Sequence, residues 1–146
     1  MVKDFTMGGW TFYIDEESKY QYLEEKVGKW MYFFDENCDL KKVNDVCLNA
    51  VNSKIVKESK HTDFAALKFV HTGVACFYLN ADDIDGHKKV IRFFLENEMI
   101  PRNKSGNYRN ISFKLDLQTT AGDYGNNFEA KISLSQFIDL KTGEWI

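Results

Sequence analysis

Lys114 and Asp116 stand two residues apart in a stretch of alternating polar and apolar residues, and Thr119, Gly122, Tyr124 and Gly125 follow closely. On an extended strand, residues at that spacing project from one face, roughly 7 Å apart at their α-carbons. A lysine beside a carboxylate suits a phosphate or other anion, the carboxylate orienting an amine or a ligand hydroxyl. The same two residues also make an ordinary cross-strand charge pair. Residues 119–125 read Thr-Thr-Ala-Gly-Asp-Tyr-Gly, a hydroxyl-rich loop. Its glycines let backbone N–H groups approach an anion, or they serve only the turn. Lys68 lies between Leu67 and Phe69, and in a strand it would point away from both. If its strand neighbours that of Lys114, the two ammonium groups converge.

Other chemistry is thinly represented. His61, His71 and His87 form no metal-like pair, and His71 is the one histidine placed to serve as a proton donor. Cys38, Cys47 and Cys76 are odd in number and lack the CxxC spacing, so no metal and no disulfide framework is expected. No nucleophile elbow, GxGxxG, Walker A or HExxH occurs, and no cofactor is expected. Trp10, Trp30 and Trp145 are each available to stack on a base or to fill a core.

The elements that must position these residues follow from period. Residues 10–14 alternate as a strand, and residues 15–25 are polar, a loop with a short helical turn. Residues 29–34 are aromatic on both faces, as in a central strand. Residues 39–55 carry Leu40, Val43, Val46, Cys47, Ala50 and Val51 at helical spacing, with Asp39 as cap. Strands are expected at 65–70 and 74–79 around a turn at 71–73, then a helix over 85–98 turning Ile91, Phe94 and Leu95 inward. Residues 101–110 form a polar, basic loop. In the strand at 111–118, Ile111, Phe113, Leu115 and Leu117 face one way and Ser112, Lys114, Asp116 and Gln118 the other. Residues 128–134 return as a strand. Strands and two helices without regular βαβ repetition predict an α+β fold, a mainly antiparallel sheet with helices on one face.

The chain has 146 residues, a net charge of −3 and one proline, which predicts a single domain over residues 1–146. An acidic whole excludes duplex DNA as partner. Acidic residues crowd positions 15–25, and Lys88, Lys89, Arg92, Arg102, Lys104, Arg109 and Lys114 gather later. That unevenness allows a local anion site in the second half, or simply two solvated faces. No apolar run resembles a signal peptide or a bilayer span, so a cytoplasmic protein with no membrane partner is expected.

Gly28-Lys29-Trp30, the segment with Lys68, the 74–80 strand with its acidic turn, and Lys114-x-Asp116-x-x-Thr119-x-x-Gly122-x-Tyr124 resemble, in that order, the Bles (basophilic leukaemia expressed) family. Some of its microbial relatives are labelled phosphothreonine lyase domain proteins. The resemblance covers roughly residues 28–125. That family has Tyr before the lysine and Thr after it, where this chain has Phe113 and Leu115. The resemblance implies a fold like the cap-binding translation initiation factor 4E, a curved antiparallel sheet backed by helices. Three functions follow as expectations. The first is a domain binding a phosphate-bearing ligand (nucleotide, RNA end or phosphopeptide) through Lys68, Lys114, Asp116, Thr119 and Tyr124. The second is a phosphothreonine lyase, with Lys114 or Lys68 as base and His71 as donor. The third is a phage or mobile-element protein that blocks a host factor.

Overall fold

A computed structural model describes residues 2–117 and 132–146. The protein is α+β, an open antiparallel sheet of seven strands with three helices packed against it. In chain order the elements are β1 (Val2–Met7), β2 (Trp10–Asp15), β3 (Val27–Asp35), α1 (Leu40–Asn52), β4 (Glu58–Thr62), α2 (Leu67–Val70), β5 (Thr72–Asn80), α3 (Ile84–Glu96), β6 (Ser112–Leu115) and β7 (Ile132–Ser133). The strand order is β1-β2-β4-β5-β3-β6-β7. The chain divides into two compact units, Met1–Gln21 with Met31–Tyr78, and Tyr22–Trp30 with Leu79–Ile146. No helix among the described residues is long and apolar enough to cross a membrane.

In the first unit, β1 and β2 form a hairpin closed by Gly8-Gly9. Both glycines have positive φ, +61° and +86°, the twist that a two-residue hairpin loop requires. Helix α1 begins where Asp39 accepts from the N–H groups of Lys41 and Lys42. It buries Val43, Val46, Cys47, Ala50 and Val51, the face expected from their spacing. Opposite that face, β4 turns inward two polar residues, Ser59 and His61, both almost wholly buried. The Ser59 hydroxyl donates to the Cys47 carbonyl at 2.8 Å. His61 bonds the Thr62 carbonyl through Nδ1 at 2.8 Å and stacks on Phe64. Its Nε2 lies 3.3 Å from the Tyr13 hydroxyl, which also bonds Asn44 of α1. Burial, with the nearby Cys47, Asp4 and Asp45 adding to it, pushes the Tyr13 phenol up to about 12.

Residues 65–70 are not a strand. Asp63 Oδ1 accepts from Ala65 N–H and starts a 3-10 turn over Phe64–Ala66, which runs into α2. His71, at φ +63°, then ends the helix in the left-handed conformation. Only Leu67 of this segment is buried; Phe69 and Val70 are exposed. Two strands that the periodicity analysis did not anticipate, β1 and β4, flank β2.

In the second unit, α3 is capped by Asp83, whose side chain accepts from Gly86 N–H at 2.9 Å. Its buried face carries His87, Val90, Ile91 and Phe94, while Leu95 is half-buried. His87 is fully buried against Trp30, Phe113 and Phe137, not solvated. The Trp30 indole N–H donates to His87 Nδ1 at 3.0 Å. Nδ1 must therefore lack a proton, and Nε2–H donates to the Ala81 carbonyl at 2.7 Å. Strand β6 is shorter than the expected 111–118, since the backbone turns helical at residues 116 and 117. Of the strand expected at 128–134, residues 132 and 133 form β7, and Leu134 opens a 3-10 turn. Residues 128–131 lie outside the described residues.

Burial holds His61 and His87 below the ordinary imidazole value of 6.5. Each is neutral in the fold, yet each protonates in the unfolded chain once pH falls below about 6.5. The unfolded chain then binds more protons, so acid lowers stability. The expected loss is up to about 1.4 kcal/mol per pH unit for each histidine. Urea unfolding near neutrality and near pH 5 checks this; coincident midpoints would contradict it.

Candidate functional site

Strand β3 enters the second unit as Val27-Gly28-Lys29-Trp30. Trp30 is anchored inward on His87 and packs against Phe113, its neighbour on β6. Alternation then turns Lys29 and Lys114 to the opposite face. The register places them directly across from each other, Lys29 opposite Lys114 and Gly28 opposite Leu115. Like charges in that position repel. Asp116, just past the end of β6, meets Lys29 with Oδ1 2.8 Å from the ammonium. Lys29 is only 8% exposed, so this is a shielded charge pair, whereas Asp116 is half-exposed. Removing one partner of such a pair costs more than removing an exposed one.

The close approach of β6 depends on Gly28. A β-carbon there would sit 2.5 Å from the Lys114 carbonyl oxygen and 2.6 Å from the Phe113 ring. Any side chain at position 28 would push β6 away and separate the two lysines. The role of this glycine is proximity, since its φ is not in the left-handed region.

The spacing argument put Lys114 and Asp116 side by side on one strand; instead Asp116 lies past the end of β6 and bonds Lys29, the residue that stands across from Lys114 in place of any residue of the 65–70 segment. Lys68 is an exposed residue of α2 in the first unit. The strand parity that would have turned it toward Lys114 does not exist there. Thr119 and Tyr124 lie outside the described residues, as do Gly122 and Gly125. His71 sits in the first unit, where its Nδ1 faces Glu36 at 3.2 Å on an exposed turn. Lys29 carried a signal that periodicity did not weigh: a lysine between a glycine and a tryptophan, inside an otherwise aromatic strand.

The tryptophans have separate settings. Trp30 is core. Trp145 lies under Arg92, with the guanidinium 5.6 Å from its ring centroid. Trp10 is half-buried on β2, and the Lys60 ammonium lies 3.9 Å from its ring centroid and 5.7 Å from those of Phe12 and Tyr78. A cation so placed is attracted by the ring quadrupoles. Register explains the grouping, since Lys60 pairs with Phe12 on one side and with Cys76 on the other. The cysteines are all free thiols; burial raises the Cys47 pKa well above the usual thiol range. Among the described residues no group of three or more His, Cys, Asp or Glu side chains is placed to hold a metal.

No family model matches this chain, and no curated protein does. The Lys29–Lys114–Asp116 geometry therefore carries the functional reading by its own chemistry.

Gly28→Ala should destabilise the protein by about 1–3 kcal/mol, the usual cost of forcing atoms into a packed contact. Urea unfolding measures it; a change below about 0.5 kcal/mol, the range of ordinary surface substitutions, would show that β6 does not need the close approach.

Proposed function

We propose that the protein is a binding domain for a phosphate-bearing ligand, held by Lys29 and Lys114 with Asp116 as the orienting carboxylate. The observation that carries this reading is the cross-strand opposition of the two lysines, with the carboxylate bonded to Lys29. A pair of lysines facing each other across a ladder costs stability unless an anion offsets the repulsion. A phosphate does so with several acceptor oxygens at once, through charge-assisted hydrogen bonds. Asp116, bonded to Lys29, holds that ammonium in place and is the carboxylate that would orient a ligand hydroxyl or amine. Lys29, shielded from water, acts as the more strongly coupled cation.

Thr119 and Tyr124 enter this reading only through the sequence. They follow Asp116 within the same stretch, and their hydroxyls would add donors to phosphate. The ligand class is defined here by its phosphate, and nucleotide, RNA end and phosphopeptide share that chemistry.

Calorimetric titration with inorganic phosphate, a nucleotide panel, a 5′-phosphorylated oligoribonucleotide and a phosphothreonine peptide tests the proposal. At least one probe should bind, and Lys114→Ala should weaken it about tenfold or more, consistent with a hydrogen bond to a charged group of about 1.5–3 kcal/mol. Lys114→Arg should retain most of the affinity, and added salt should weaken binding. Silence from every probe, or equal binding by Lys114→Ala, overturns the reading. The probe that binds identifies the ligand class.

A further inference from the structure

Strand β1, in the first unit, is an edge of the sheet: β2 pairs with one side of it, and among the described residues nothing pairs with the other. Such an edge presents a row of unpaired N–H and C=O groups, which proteins usually blunt with proline, a bulge or free lysines. Strand β1 contains no proline, and its register with β2 runs unbroken from Val2 to Met7. Its single lysine, Lys3, is paired with Glu16 at 3.0 Å. We infer that β1 pairs antiparallel with β1 of a second copy of this chain, Phe5 of one copy meeting Phe5 of the other on a two-fold axis.

The hairpin fixes which backbone groups face outward. In a two-residue hairpin the pair flanking the loop exchanges both hydrogen bonds, so Met7 does so with Trp10, Phe5 with Phe12 and Lys3 with Ile14. The N–H and C=O groups of Asp4 and Thr6 therefore point away from β2, toward the side where another strand would lie. The side chains leave room for that strand, since residues 3–7 are exposed on both faces of β1.

Pairing about a two-fold axis keeps each side chain on its own face of the sheet, so residues of like parity must meet. An axis at Lys3 or Asp4 would set like charges opposite each other, and these repel. An axis at Thr6 or Met7 would run each strand into the Gly8-Gly9 turn of the other. An axis at Phe5 does neither. Asp4 then faces Thr6 of the second copy, the two residues whose outward N–H and C=O groups are available, and Lys3 faces Met7. The Thr6 hydroxyl, 3.0 Å from that of Thr11, can accept from Thr11 and donate to the Asp4 carboxylate across the interface. Phe5 already stacks on Phe12, with centroids 4.9 Å apart and planes 14° apart. The axis extends that stack into a continuous row with two rings from each copy, and it covers the exposed side chains of Phe5 and Met7.

Sedimentation equilibrium of the whole chain tests this. The apparent mass should rise with concentration from 17.0 kDa toward twice that value. Phe5→Asp sets two carboxylates on the axis, and Thr6→Pro removes an outward N–H. Each should weaken association about tenfold or more while the circular dichroism stays that of the folded chain. The register is read by oxidation of Phe5→Cys and Asp4→Cys, each in a Cys38→Ser background because Cys38 is the exposed cysteine. Phe5→Cys should form an intermolecular disulfide, since directly opposed residues of a non-hydrogen-bonded pair come within bridging distance, and Asp4→Cys, facing Thr6, should not. A chain that stays monomeric at every concentration, a dimer indifferent to both Phe5→Asp and Thr6→Pro, or cross-linking through Asp4→Cys alone overturns the proposal.

Discussion

The hydrogen bond from the Trp30 indole to His87 is the constraint on which the second unit depends. It joins β3 to α3 inside an aromatic cluster with Phe113 and Phe137, and both residues are removed from water. An indole has one donor and no acceptor, so the buried N–H needs a partner, and a neutral imidazole supplies it. The second imidazole nitrogen is satisfied by the Ala81 carbonyl, just before α3. No polar atom in this cluster is left without a partner. Because Trp30 is fixed inward, Lys29 is fixed outward, and Phe113 fixes Lys114 in the same way. The charged cluster is thus a consequence of core packing on the other side of the same two strands.

The first unit solves a similar problem with different residues. Its inner face carries Ser59, His61 and Tyr13, and each has a partner: the Cys47 carbonyl for Ser59, the Thr62 carbonyl for His61, and Asn44 for Tyr13. Two of these bonds tie the sheet to α1 side by side, where apolar contacts alone would allow sliding. Buried polar groups cost stability when unpaired, and paired ones restrict the packing to one arrangement.

The elements legible in the sequence were those whose signal is local. Helix α1 has an apolar residue on every inward position and Asp39 at its start, and α3 has the same kind of pattern. Both were found within a few residues of their ends, though the α3 cap is Asp83, ahead of the expected start. Strands β2, β3 and β5 were likewise readable. Strand β4 was not, because its two inward residues are polar and the alternation therefore reads as a loop. The segment 65–70 misled for the opposite reason. Leu67 and Phe69 alternate with Lys68 as in a strand, yet Phe69 is among the most exposed large hydrophobic residues described. Its local signal was Asp63, a helix-start residue at the right distance from Ala65.

By itself, then, the sequence determined the α+β class, the two long helices and the fact that Lys114 points away from Phe113. Those follow from period and capping, which act over a few residues. Tertiary structure alone decided that the partner of Lys114 is Lys29, that Asp116 closes on Lys29, and that Lys68 belongs to a helix. Strand pairing joins segments far apart in the chain and is selected by which faces become buried. The glycine at position 28 has no pattern around it that announces a close approach; its reason appears only when β6 lies against it.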